Sequence, residues 1–221
     1  MLGGRYMGSF NMHISVSKKI KEELSFGDEF MLGTVLPDLY KVLLKDRTLT
    51  HFEKNIEGED LPDIEEFCEK YKDKKSEIVY GYLAHLVEDR IWFNQYHNKR
   101  YVKEIERGKY YKYIKDNTIH EEKEYLTDIY TDYTIISKYI ENKYKIDREE
   151  TNKILKETVL KSEKIKEKEE LIHTIETRII DYSCQYDINK PITFLTEQEL
   201  DDYYQTTLEE TKKVLIEFME K

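Results

Sequence analysis

Six histidines, some with an acid one helical turn away, carry the chemistry this sequence can offer. In Tyr80-Gly-Tyr-Leu-Ala-His-Leu-Val-Glu-Asp-Arg-Ile-Trp92, His85 and Asp89 stand four apart. On a helix both leave the same face one turn apart, so an imidazole and a carboxylate can chelate one ion from a rigid strut. Gly81, one turn earlier on that face, removes a side chain where a backbone or a ligand can approach, and Ala84 keeps the next position small. The plain alternative is a hydrogen-bonded polar pair filling a notch. Either way, a His and an Asp on a largely apolar helix must be paired, hydrogen-bonded or metal-bound to be buried at acceptable cost.

Other residues extend the pair. His13, Asp38 and His51 lie in the first quarter of the chain, each at an expected element end or in a loop. Three imidazoles and two carboxylates form a nitrogen and oxygen set suited to zinc, or to manganese or iron in a six-coordinate site. Asp128 and Asp132 repeat the spacing of four. They read as a solvated face, as hydrogen-bond partners of a ligating imidazole, or, for Asp132, as a further ligand. His120 and Glu124 sit among charged neighbours and read as surface. His97 reads as solvent-facing, and His173 as a packing or surface residue.

The elements that must position these residues read as helices. A first helix is expected over Met12 to Leu24, with Ile14, Val16, Ile20 and Leu24 near a 3.6-residue period. A short helix is expected from Asp28 to Val35, ending at Leu36-Pro37, because the residue before a proline is pushed out of the helical region. Lys45 to Asp60 reads as polar and irregular, and Pro62 as opening a helix through Ile64, Phe67 and Tyr71. Glu77 to about Lys99 is apolar on more than one face and should lie centrally in a bundle. Further helices are expected over His120 to Tyr144, after Asp147-x-x-Glu150, over Leu171 to Tyr186, and from Thr196-x-x-Glu199 to Lys221. The nineteen tyrosines fall at helical spacings, so they do not argue for strands. The expected fold class is all-α: one helical domain over 1–221, with a core over 10–145, the helices of 147–221 packed on it, and the metal site on the central helix.

Composition bounds the function. With 37% charged and 39% hydrophobic residues, much of each helix must be a solvated face. The formal net charge of −10, with no local excess of Lys and Arg among aromatics read from the chain, argues against a nucleic-acid partner. Cys68 and Cys184 form no CxxC pattern, so neither a disulfide framework nor a thiolate zinc site is expected. No signal peptide and no stretch long enough to span a membrane is read, and the expected location is the cytoplasm.

The order His13, Leu-Gly-Thr-Val-Leu-Pro-Asp38, Thr-His51-Phe and Gly-Tyr-Leu-Ala-His85-Leu-Val-Glu-Asp89 resembles the zinc-dependent phospholipase C and P1 nuclease group, closest to its short, non-secreted bacterial members. The resemblance covers residues 10 to 95 and implies a helical bundle in which His13, Asp38, His51, His85 and Asp89 are metal ligands. Secreted members also use the amine of an N-terminal tryptophan, whereas the one tryptophan here, Trp92, lies inside a helix. One or two metals are therefore expected rather than three, with Asp132 completing the set. The implied activity is metal-assisted hydrolysis of a lipid or small-molecule phosphodiester, with Asp38 orienting the attacking water. The alternative is a metal-stabilised scaffold or regulatory module without catalysis. A phosphodiesterase of the HD type would need an adjacent His-Asp dipeptide, which the chain lacks, and a plain helical interaction protein would need a large exposed apolar patch.

Overall fold

The computed structural model describes residues 10–56, 58–106, 108–178 and 189–221, and the fold is all-α with two small antiparallel sheets. The helices among the described residues are α1 (Phe10–Leu24), α2 (Asp28–Leu44), α3 (Arg47–His51), α4 (Ile64–Tyr71), α5 (Glu77–Ile91), α6 (Glu122–Tyr144), α7 (Arg148–Lys161), α8 (Lys168–Arg178) and α9 (Glu197–Glu220). No helix among the described residues is long and apolar enough to cross a membrane. Cys184 and the end of the helix expected to reach Tyr186 lie outside the described residues.

Two helices form the centre. α2 buries an unbroken run from Phe30 to Pro37, and α5 buries Leu83 through Asp89, so neither keeps a wide solvated face. They are the most extensively packed helix pair, and they touch through glycines. A Cβ on Gly81 would lie 2.1 Å from the Phe30 carbonyl oxygen and 2.9 Å from the Cα of Gly33. A Cβ on Gly33 would lie 2.3 Å from the Ile78 carbonyl oxygen. The space that Gly81 leaves open is thus filled by the backbone of α2, not by a ligand pocket.

Around this pair, α1 packs on α2 and α6, α9 lies along α5 and α1, and α7 and α8 pack against α2. Side chains fix several helix starts. Asp46, Asp63 and Asp147 accept the N–H groups of Leu49, Glu66 and Glu150, and Thr196 with Glu199 forms the expected capping box.

Three expectations need correction. The second helix does not stop before Pro37 but continues through it to Leu44. The proline removes the N–H that the Gly33 carbonyl would otherwise accept, a penalty of roughly 3 kcal/mol in a helix interior. Burial of Leu36 and Leu39 on either side of the proline holds the helix together across it. The segment read as irregular contains α3 and a hairpin, β1 (Glu53–Ile56) with β2 (Glu59–Pro62), so Pro62 ends a strand and Asp63 caps α4. Finally, the helix of Glu77 runs on past Ile91 as a π-helical segment, Trp92–Tyr101, and leads into a sheet of β3 (Val102–Glu106), β4 (Tyr110–Tyr113) and β5 (Ile119–Glu121). Tyr110, Tyr111 and Tyr113 are strand residues. Inward-facing Tyr113 packs against Phe194, and Tyr111 stacks on Tyr125, so cross-element packing rather than helical spacing uses them.

Candidate metal centre

α1, α2, α3 and α5 bring five of the expected residues into one buried place. His13 comes from the first turns of α1, Asp38 from the residue after Pro37 in α2, His51 from the end of α3, and His85 and Asp89 from α5. His51, His85 and Asp89 have no solvent exposure, and the Asp38 side chain is the most open of the five at 12%.

Each imidazole is oriented by its Nδ1. His85 Nδ1–H donates to the Thr34 carbonyl at 2.7 Å, and His13 Nδ1–H donates to Glu88 Oε2 at 2.7 Å. The Thr50 hydroxyl donates back to the Asp46 carbonyl, which leaves its oxygen to accept from His51 Nδ1 at 2.9 Å. All three Nε2 atoms therefore turn toward the carboxylates. Such outer contacts fix the tautomer and raise the basicity of the other nitrogen.

The converging atoms stand at ligand-to-ligand distances. His85 Nε2 lies 3.2 Å from His51 Nε2, His51 Nε2 lies 3.2 Å from Asp38 Oδ1, and His13 Nε2 lies 3.5 Å from Asp89 Oδ1. Two nitrogens bound to one zinc at about 2.1 Å would stand roughly 3.4 Å apart at the tetrahedral angle. His13 Nε2, Asp38 Oδ1 and Asp89 Oδ1 are buried and lack a hydrogen-bond partner. With Nδ1 protonated on both rings, the His51 and His85 Nε2 lone pairs face one another, an arrangement that a cation between them converts from repulsion to coordination. Two overlapping triads result, His13–His85–Asp89 and Asp38–His51–His85. They share His85, whose one free nitrogen can serve only one ion.

The carboxylates of this cluster are balanced by the His13 imidazolium and the Arg47 guanidinium. Burial opposes charge on His13, but the facing Asp89 carboxylate 3.5 Å away and the hydrogen-bonded Glu88 carboxylate outweigh it and lift His13 to about 10. Burial pushes Glu88 up to about 7 against the pull of His13. Burial and the neighbouring His13 drop His85 to about 3. Asp89 is held far below the usual carboxylate range although burial opposes this, chiefly by the Arg47 guanidinium. Asp38 is likewise held down against burial, by His51 and His85.

Two partners in this centre were not read from the sequence. Glu88 is 1% exposed, and its place beside Asp89 on a helix with no solvated face was the available signal. Arg47 Nη2 donates to Asp89 Oδ2 at 2.9 Å and its Nε to Glu53 Oε1 at 2.6 Å, while Nη1 is buried without a partner. Its position four residues before His51, on one helical face, was the corresponding clue.

The remaining expected residues lie elsewhere. Asp132 is not brought to this cluster: its two carboxylate oxygens accept the Thr193 and Phe194 N–H groups at 2.7 and 2.8 Å. Asp128 accepts from the Tyr113 hydroxyl at 2.8 Å. His120 stacks on Tyr113, and Glu124 closes the capping box of α6. His173 is exposed. His97 is buried, not solvent-facing, with Nε2 2.9 Å from the Tyr125 hydroxyl and Nδ1 2.7 Å from Asn98 Oδ1.

A family model described as zinc dependent phospholipase C matches residues 12–186 of the chain. No curated protein and no solved structure matches it.

Proposed function

The chain belongs to the zinc-dependent phospholipase C family, and from that premise we propose that it is a zinc-dependent phosphodiester hydrolase acting on a lipid or small-molecule substrate. The observation that carries the reading is the convergence of three Nδ1-anchored imidazoles on two carboxylates whose facing oxygens are buried and unpartnered. The residues fit the metal that the family implies. His13, Asp38, His51, His85 and Asp89 would hold one zinc or two, with manganese or iron as the other ions this donor set accepts.

When bound, the ion supplies a water acidified to near neutrality and positive charge against the phosphoryl oxygens. The chain's own residues do the rest. Asp38, the most open of the set, lies where an incoming water would arrive and orients it by accepting its hydrogen bond. Glu88 keeps the His13 ring in place by accepting its Nδ1–H, which leaves Nε2 as the atom that faces the ion. Arg47 fixes the Asp89 carboxylate and brings a permanent positive charge, with one N–H group still to be satisfied.

A second reading has an observation in its favour. Four of the five residues are 2% exposed or less, as in a metal site that only ties α1, α2, α3 and α5 together. One experiment separates the two: metal content by plasma mass spectrometry, followed by hydrolysis of bis(p-nitrophenyl) phosphate and phosphatidylcholine, for the native chain and a His85→Ala/Asp89→Ala variant. The expected outcome is about one equivalent of metal or more and hydrolysis of a diester, both lost in the variant. Metal without hydrolysis would leave the structural role, and a native protein that takes up no metal would remove both readings.

A further inference from the structure

Two cations stand beside the metal centre, and the fold gives neither of them a full set of partners. α2 and α3 supply one each. Lys41 follows Asp38 by three residues on α2, and Arg47 precedes His51 by four on α3, so each cation shares a helical face with one of the five facing residues. Asp38 is the most open of those five, and half-buried Lys41 lies one turn further along the same helix.

The Arg47 guanidinium is fixed at the edge of the donor set. Its Nη2 donates to Asp89 Oδ2, an oxygen 3.7 Å from the Nε2 atoms of both His51 and His85. Its Nε donates to Glu53, its Cζ lies 5.5 Å from the centre of the Phe93 ring, and Nη1 is buried with no acceptor. Lys41 is provided with less. Its ammonium makes no hydrogen bond and no ion pair with a described residue. Burial and the Arg47 guanidinium oppose its charge, while Asp38, Asp89 and Glu53 favour it without pairing with it. An ammonium kept near a guanidinium with no anion between them costs free energy, which an anion shared by the two would return.

We propose that Lys41 and Arg47 form a phosphoryl clamp, in which the Lys41 ammonium, with Arg47 Nη1 as second donor, binds a non-bridging oxygen of the substrate phosphate on the Asp38 side of the centre. The inference deepens the hydrolase reading and rests on it for the reaction, though not for the binding of phosphate. A diester carries one negative charge on its non-bridging oxygens, and the attack of water adds a second as the new P–O bond forms. A cation already in place beside those oxygens needs no reorganisation as their charge grows. Lys41 is thereby a residue that touches substrate, and Arg47, tied to Asp89 and Glu53, is the fixed half of the clamp.

Two plainer roles for Lys41 fit less well. A lysine that only covers apolar surface with its stem carries its ammonium out to water, away from other cations. A lysine that only balances the carboxylates would pair with one of them, as Arg47 pairs with Asp89.

The test uses the zinc-loaded full chain beside Lys41→Met, which keeps the stem and removes the charge, and Lys41→Arg, which keeps the charge. Lys45→Met, at the exposed C-cap of α2, controls for net charge. Binding of inorganic phosphate is measured by titration calorimetry and hydrolysis with bis(p-nitrophenyl) phosphate, while metal content and thermal melts show each variant loaded and folded. Lys41→Met is expected to weaken phosphate binding about tenfold or more and to lower kcat/KM about 100-fold or more, with zinc content unchanged. Lys41→Arg should keep most of both, and Lys45→Met all of both. The proposal is overturned if the native chain binds no phosphate, if Lys41→Met binds it as the native chain does or loses the zinc, or if Lys41→Arg or Lys45→Met is as impaired as Lys41→Met. Phosphate binding that depends on Lys41 without hydrolysis of a diester would keep the clamp and remove the hydrolase reading. Hydrolysis with phosphate binding indifferent to Lys41 would do the reverse.

Discussion

Asp89 and Asp132 are both fully buried aspartates on long helices, each four residues after a potential partner, yet they are buried on opposite terms. Asp132 accepts one backbone N–H group on each carboxylate oxygen from the segment leading into α9, so neither oxygen is left without a partner. Asp89 has Arg47 on one oxygen and faces His13 with the other, which has no hydrogen bond. Burial of an acid therefore does not mark a ligand. The mark is a buried acceptor that the protein has left unpartnered while orienting the groups around it.

The comparison is sharpened by removing outer contacts in each region. The largest effect is expected at Glu88. Glu88→Gln leaves the five facing atoms in place but weakens the hold on His13 Nδ1, and metal affinity measured by competition with a chromogenic chelator should fall about 10- to 100-fold. Unchanged affinity would mean that the His13 ring needs no such anchor.

A smaller effect comes from pH. His13 carries a proton up to about 10 in the metal-free protein, so its interaction with Glu88 and Asp89 stabilises the fold fully below the ordinary histidine pKa of 6.5. That contribution is lost as pH rises through about 10. Metal binding must displace the proton, so affinity should rise with pH between 6 and 8, by up to roughly tenfold per unit. Calorimetry in buffers of different ionisation enthalpy should record about one proton released per ion. Affinity independent of pH would remove His13 from the ligand set.

The smallest effect on the metal is expected at Asp132. Asp132→Asn keeps one acceptor and sets an NH2 group against the second backbone N–H, which should destabilise the fold by about 1–3 kcal/mol with metal content unchanged. Burial lifts Asp132 to about 6, so its charged form costs stability that is recovered as pH falls through that value. The variant should show less of this dependence in denaturant melts. Loss of metal in this variant would erase the distinction between the two aspartates.

What the sequence made legible follows the same line. The periodic helices α1, α5, α6 and α9 and the cap of α9 announce themselves locally, because apolar spacing and capping residues act within a few turns. His85 and Asp89 were legible for the same reason. Their partners were not: Thr34 and Arg47 reach α5 across 51 and 42 residues, and no local pattern encodes that approach. The β3–β4–β5 sheet was hidden because its exposed positions mix lysine and glutamate with isoleucine and tyrosine, which blurs the alternation that marks a half-buried strand. Pro37 misled because the penalty it imposes is local while the burial that overrides it is not.

The contact of Gly33 with Gly81 sets a gauge. Thr34, whose carbonyl aims the His85 ring, follows Gly33 directly, and His85 lies one turn beyond Gly81, so the width of the helix crossing is transmitted to the gap between His85 and His51. A methyl group at either glycine would press on a carbonyl oxygen of the facing helix, wedge the backbones apart and move His85 relative to His51. The spacing of the five facing side chains is thus set partly by two residues that contribute no donor atom, and a search for its determinants confined to those five would miss them.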